Sequence, residues 1–330
     1  MRLRDIKHDR VLLTGASGFV GRHLYHALQA VGCEVHCASR KPHESLQRYP
    51  ERTWVHLDLD NSATLDAALT SCTAAYYLIH GMGDGVDYEQ REAQAATAFA
   101  DAAKRAGLRR IVYLGGVAPA GTPSRHLRSR LATGRLLRQS EVSTVELRAA
   151  MIIGRGGSSW EIVRDLAARL PLMVLPKWLR NRSHPVAIAD VVFALLVALA
   201  LPDEAAGVYD IPGLEQVSHQ ELLQRVAAYW RMRPVMINVP ILTPRLSSYW
   251  IRFVTRADWH LAKELVAGLT SDLIPAHEGL WTLVPHYRRV SLDDAIRVAL
   301  ADEKLAGSPS KRSLEAISAT VKAFQSCPFY

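Results

Sequence analysis

Cysteine is scarce in this chain: four among 330 residues, Cys33, Cys37, Cys72 and Cys327, and no CxxC pair among them. That rules out the paired-thiolate zinc sites and leaves too few thiols for a disulfide framework, so reduced and mostly buried cysteines are expected. Long apolar runs are missing too. The most apolar stretch, 186–201, is too short to span a bilayer comfortably and carries Asp190 near its start, as a buried helix would rather than an integral membrane segment. Residues 1–7 alternate charge and apolarity before the first strand and lack the apolar core of a secretory signal, so a cytoplasmic protein is expected. No internal repeat is present.

Charge leans one way. Forty Lys and Arg against thirty-two Asp and Glu give a net charge of +8, which favours anionic partners. The cations are spread along the chain among carboxylates, without the concentrated basic stripe and interleaved aromatics of a nucleic-acid binder, so phosphate on a small molecule is the expected anion.

The first half alternates short apolar runs with segments of helical period, the rhythm of strand, crossover helix and parallel strand. Strands are expected at 10–14, 34–39, 53–57, 74–80, 110–114 and 144–148. Val20, Leu24, Ala27, Leu28 and Val31 share one face of an intervening helix that Gly32 ends. Asn61 or Ser62 and then Asp87 are candidate helix caps, and Ala93, Ala96, Ala100 and Ala103 make a narrow packing stripe. Past residue 150 the rhythm loosens, and six of the seven tryptophans lie there, read mainly as core residues. Val208–Ile211 is expected to return to the main sheet as another strand. The resulting picture is an α/β chain: residues 1–150 form a doubly wound, Rossmann-type parallel sheet with returning segments at about 180–215. Residues 151–180 and 216–300 make a smaller substrate-side lobe, and 301–330 a solvated tail with a weakly packed helix.

The strongest motif is Val11-Leu12-Leu13-Thr14-Gly15-Ala16-Ser17-Gly18-Phe19-Val20-Gly21, a strand, a GxxGxxG turn and a helix start. Gly15 permits the tight exit from the strand, Gly18 lets a pyrophosphate approach the backbone, and Gly21 allows close helix–sheet packing. The first amides of the helix, from Ser17 through Phe19 and Val20, then donate to phosphate oxygens. After the second strand an acidic residue would accept from the ribose 2'-hydroxyl of NAD; here Ser39-Arg40-Lys41 supplies two cations instead, so NADP(H) is the expected cofactor.

With these residues the chain resembles an atypical extended short-chain dehydrogenase/reductase, in particular the NmrA-like and complex I accessory-subunit-like groups. The resemblance covers about residues 10–300. It includes Thr14 to Gly21, Asp58-Leu59, Tyr77-Leu78-Ile79-His80-Gly81, Tyr113-Leu114-Gly115-Gly116, Glu146-Leu147-Arg148 and His184 to Val191. The resemblance implies that Asp58 accepts from the adenine amino group with Leu59 against the ring, and that Ile79, His80 and Gly81 pass beside the ribose and phosphates.

Ordinary members of that superfamily carry a Ser or Thr after the fifth strand and a Tyr-x-x-x-Lys on the next helix, which exchange a proton during hydride transfer. All three are missing. Gly115 and Gly116 stand in the serine region, and His126 and Arg130 occupy the tyrosine and lysine spacing. An imidazole is a plausible proton donor near neutrality and a guanidinium can hold ribose hydroxyls or a phosphate, so His126 and Arg130 are the catalytic candidates and Arg130 also a cofactor contact. The adjacent cation would disfavour a protonated His126, and the helix, with Arg125, Arg128, Arg135 and Arg138, also reads as a basic solvated surface. Tyr88, His80 and Tyr249 are further donors that no spacing argument selects.

The expected function is NADP(H)-dependent hydride transfer to a small apolar carbonyl, quinone or activated alkene. The alternative is a non-catalytic NADP(H)-binding redox sensor or assembly factor; sugar-nucleotide epimerisation fits less well without the tyrosine and lysine.

Overall fold

The apolar runs of the first half become parallel strands: β1 (Arg10–Leu13), β2 (Glu34–Ser39), β3 (Thr53–His56), β4 (Ala74–Tyr77), β5 (Arg110–Gly116) and β6 (Ser143–Ala149). The computed structural model describes residues 2–79, 87–170, 172–239, 271–275, 279–303 and 311–327. A later strand, β11 (Gly207–Asp210), pairs with β6 and completes a seven-stranded sheet in the order β11-β6-β5-β4-β1-β2-β3, every pair parallel. The strand order reverses between β1 and β4, and an open sheet of this kind binds ligands in the crevice outside the carboxyl ends of its strands at that point. β4 stops at Tyr77, short of the expected 80, because the Leu78 amide turns to donate to the Thr14 hydroxyl (2.9 Å) and leaves the ladder.

Helices cover both faces. Helix α1 (Phe19–Ala30) buries Leu24, Ala27 and Leu28 on one face and ends at Gly32, whose φ of 89° is left-handed. Helices α2 (Pro42–Arg48), α3 (Ser62–Leu69), α4 (Tyr88–Arg105) and α5 (Arg125–Gln139) follow. Asn61 caps α3 by accepting from the Ala63 amide, whereas Asp87 stands at the start of α4 without a side-chain capping bond. Ala96, Ala100 and Ala103 are buried together with Phe99 in the core on that face. The three cysteines Cys33, Cys37 and Cys72 are free and buried, and desolvation pushes the first two thiols up to about 12.

The second lobe forms around α6 (Ser158–Arg169), α8 (His219–Tyr229) and the helix Leu292–Glu303, which share a core of Trp160, Val163, Leu222, Val226 and Ile296. Short strand pairs link it to the sheet. β7 (Ile152–Ile153) runs parallel to β10 (Val186–Ala187), β9 (Arg182–Ser183) antiparallel to β12 (Val217–Ser218), and β8 (Leu172–Pro176) parallel to β13 (Val235–Val239).

Helix α7 (Ile188–Ala200) is buried all round from Asp190 onward, packed between the sheet, α1 and the helix Lys311–Gln325. That last helix lays Ile317, Val321 and Phe324 into the main core, so the expectation of a weakly packed tail helix is corrected: its apolar stripe covers α7. Among the described residues no helix is long and apolar enough to cross a membrane.

Asp190 lies at the start of α7 with no exposed surface, accepting from the Tyr287 hydroxyl (2.7 Å) and the Val290 amide (3.2 Å). Burial pushes its carboxyl up to about 7 against those two bonds and the nearby Arg289. An unfolded aspartate ionises at about 4, so between about pH 4 and 7 the folded chain holds the extra proton and stability falls as pH rises. Asp190→Asn, which keeps an acceptor, is expected to remove that slope. Its melting temperature should exceed the wild type's at pH 8 and approach it at pH 5; a gap of equal size at both would contradict the assignment.

Candidate nucleotide-binding and active site

The turn after β1 is shaped by its neighbours. Thr14, fully buried, donates to the Tyr76 carbonyl (2.8 Å) and accepts from the Leu78 amide, tying the ends of β1 and β4 together. This brings the Leu78 carbonyl to Gly15, where a Cβ would lie 2.7 Å from its oxygen, and Gly15 itself has φ of 65°. A Cβ on Gly21 would lie 2.2 Å from the Gly15 carbonyl oxygen. Gly18 donates to that same oxygen (2.9 Å), and no side chain caps α1 at Gly18, so the helix's first amides are left for an anion. From below, the buried Arg52 lies between the Tyr25 and Tyr49 rings (4.3 and 4.2 Å) and donates to the Ala16 carbonyl (3.0 Å), bracing the loop.

Two cavities meet at Gly15. One, of about 630 Å³, runs from Ser17 to the ends of β2 and β3 and is lined by Arg40, Lys41, Asp58, Leu59 and Ile79 among others. Arg40 is exposed there. Lys41 is held by Glu44 (2.9 Å), and the Ser39 hydroxyl is engaged by Ser45 (2.7 Å) and the Lys41 amide (3.1 Å), so among the described residues Arg40 is the cation of this loop without such a tie. Asp58 accepts from the Asp60 amide (3.2 Å) and lines the cavity.

The other cavity, of about 440 Å³, passes Gly18, Phe19, Val20 and Gly21, reaches the carboxyl ends of β5 and β6 at Gly115, Gly116 and Ala149, and continues into the second lobe. His126 and Arg130 both line it, one turn apart on α5. Burial, helped by the Arg130 charge, pushes the His126 imidazole down to about 4. Arg130 donates to the Leu114 carbonyl (2.9 Å), and its own carbonyl accepts from the Tyr113 hydroxyl (3.0 Å); its Nε is buried and without a partner among the described residues. A neutral imidazole across the physiological range is not a reservoir of protons, so the pH profile of any hydride-transfer rate is expected to be flat between about pH 5.5 and 8. A limb with its midpoint at about pH 6.5 that vanishes in His126→Gln would overturn this and restore the acid role.

Of the residues singled out in the sequence, Gly15, Gly18, Phe19, Val20, Gly21, His126 and Arg130 gather on the second cavity and Ser17, Arg40, Lys41, Asp58, Leu59 and Ile79 on the first. His80 and Gly81 lie outside the described residues, as does Tyr249. Tyr88 packs under Arg125 (4.4 Å) and lines neither cavity. The helix face read as solvated is partly tied down: Arg125 and Arg128 both reach Glu89. Sequence reading missed Arg48 and Arg91 on the first cavity and Ser158, Ser159, Ser183 and His219 on the second. The pair Gly156-Gly157 before Ser158, opening a second helix, was a usable signal for the serines; Ser183 and His219 carry none, because only the short β9–β12 ladder brings them together.

The phosphate turn, its strand-to-helix setting and the reversed strand order together mark the first half of the chain. Residues 11–142 match the NAD dependent epimerase/dehydratase family. Over that part of the chain, the match bears out the resemblance to an extended short-chain dehydrogenase/reductase. An uncharacterized chloroplastic protein of Arabidopsis thaliana is 26% identical over 236 residues, spanning 65% of this chain and 79% of its own. In fold, the chain is similar to the Citrobacter triphenylmethane reductase solved with NADP(H), with a TM-score of 0.68 at 15% identity over 88% of this chain and 99% of that one. The NADPH-dependent quinone oxidoreductase of Escherichia coli, solved with NADPH, gives 0.67 at 17% identity over 87% and 98%. An enzyme of Bordetella bronchiseptica solved with NAD+ gives 0.65 at 17% identity over 91% and 100%. These solved structures hold a nicotinamide nucleotide, NADP(H) in two of them and NAD+ in the third.

Proposed function

We propose that the protein is an NADP(H)-dependent oxidoreductase that reduces a small, largely apolar carbonyl, quinone or activated alkene. The observation that carries this reading is the pair of cavities joined at Gly15, cationic at the β2 end and lined mostly by apolar side chains at the β5–β6 end. NADP(H) is favoured over NAD(H) because Ser39-Arg40-Lys41 stands where an acid would select the unphosphorylated ribose. Asp58 and Leu59 hold the adenine, and Gly15 to Val20 the pyrophosphate. Within the family the grouping proposed is NmrA-like, on Asp58-Leu59 and the lost serine, tyrosine and lysine. The compartment proposed is the cytoplasm.

When bound, the nicotinamide supplies a hydride at C4. Around it, this chain's residues bind and orient. Arg130, anchored on the Leu114 carbonyl, presents guanidinium hydrogens to the ribose hydroxyls, and Gly115 and Gly116 line the cavity with backbone alone. Phe19, Leu114, Leu127, Ile162 and Val163 keep the substrate end apolar and limit water. His126, neutral, orients by hydrogen bonding and gives up no proton. With stereospecifically deuterated NADPH and a panel of quinones, enones and aromatic carbonyls, deuterium is expected in the reduced product. NADPH binding without transfer to any of them would sink the oxidoreductase reading.

A second reading, a redox sensor or assembly factor that binds NADP(H) without chemistry, is favoured by one observation: the residue at the usual tyrosine spacing is a buried, neutral histidine. It expects a thermal shift with NADPH and no consumption of it.

A further inference from the structure

Among the residues that line the 440 Å³ cavity, two neighbours at the β9–β12 ladder carry a buried polar atom without a partner among the described residues. Ser183, 1% exposed, ends β9, and its strand partner Val217 stands two residues before His219, which is 4% exposed and opens α8. The Ser183 Oγ and the His219 Nε2 are both buried, both belong to residues that line the cavity, and neither has a hydrogen-bond partner among the described residues. Leaving one such atom unpaired in a folded interior costs free energy, and two lining one cavity point to something that binds between them. Met151, Ile152, Ile162, Val163 and Leu273 are among the apolar residues that line the same cavity.

We propose that Ser183 and His219 grip the acceptor oxygen of a carbonyl substrate, whose apolar body fills the remaining cavity. Both can donate to one oxygen, Ser183 through its hydroxyl and His219 through Nε2–H. His219 is suited to this because burial pushes its imidazole down to about 4, against the pull of Asp272, so it stays a neutral donor. An anionic head would meet no countercharge at these two residues, which disfavours carboxylates against ketones, aldehydes and quinones. The role in turnover rests on the oxidoreductase reading above. As the carbonyl carbon accepts a hydride from the reduced cofactor, the π pair moves to the oxygen, the cofactor is left oxidised, and the oxygen takes its proton from solvent water. Ser183 and His219 meet the developing charge with hydrogen bonds and lose no proton overall.

The test measures binding rather than turnover. Acetophenone labelled with ¹³C at the carbonyl is titrated into the full chain, with and without NADP+, where no reduction can occur. The wild type should bind it and move the carbonyl resonance downfield. Ser183→Ala and His219→Leu should each weaken it roughly fivefold to tenfold, the loss of one hydrogen bond, while His219→Gln, which keeps an N–H, stays within about threefold. NADP+ affinity, read separately, should not change in any of them. In the wild type, the ¹⁵N resonance of His219 Nε2 should shift on adding the ketone, a readout that needs no variant to fold. Failure of the wild type to bind acetophenone, unchanged binding in both variants, or an unmoved Nε2 resonance would each overturn the assignment. Absence of any hydride transfer, with these signals present, would instead remove only the oxidoreductase reading.

Discussion

Arg40→Asp combined with Lys41→Ala is expected to weaken NADPH binding by roughly a hundredfold while leaving NADH within a few fold of its starting value. Each hydrogen bond to a charged group contributes about 1.5–3 kcal/mol, and one order of magnitude in affinity corresponds to about 1.4 kcal/mol, so losing the contacts to a 2'-phosphate suffices for that ratio. The introduced aspartate adds repulsion to the phosphate and an acceptor for the free ribose hydroxyl. Because Lys41 is already held by Glu44, Arg40 is expected to carry most of the effect, and Arg40→Ala alone should show it. Calorimetric titration with both nucleotides decides the matter: an unchanged ratio of affinities refutes the assignment of this loop.

Gly21→Ala should abolish cofactor binding and lower stability at once. The added methyl would stand 2.2 Å from the Gly15 carbonyl oxygen and 2.9 Å from the Ala16 Cα, both backbone, so no side chain can swing aside and the turn itself has to move. Gly107→Ala is the control. Gly107, unlike Gly21, has a left-handed φ, of 70°, but a Cβ there meets nothing within 4 Å. Its cost should be confined to backbone strain of about 1–2 kcal/mol, with the NADPH-induced rise in melting temperature intact. If Gly21→Ala still responded to NADPH as Gly107→Ala does, the close approach at the turn would not matter to the site.

Much of this was legible in the chain because it is local. Strand β2 falls at its expected residues and α1 buries the expected face, since period and glycine punctuation act within a few residues. The phosphate turn was legible for the same reason. What sequence hid is set by distant partners. That β4 ends at Tyr77 follows from Thr14, and that Lys41 is less available than Arg40 follows from Glu44 one turn along a short helix. His126 has the right spacing for a proton donor, yet burial and the neighbouring Arg130 charge disfavour its protonated form, and no spacing rule reports burial. Ser183 and His219 meet through a two-residue ladder and the start of a helix, which leaves no periodic trace.

Helix Lys311–Gln325 has one more consequence. The half that carries the phosphate turn is continuous in sequence from β1 to β6, yet part of the wall that keeps water off α7 is made of Ile317, Val321 and Phe324. A ribosome that has just finished β6 has therefore emitted every glycine of the phosphate turn and none of the residues that roof α7. Six of the seven sheet strands are thus in place long before the last helix that covers the core, and closure of the fold waits on that segment.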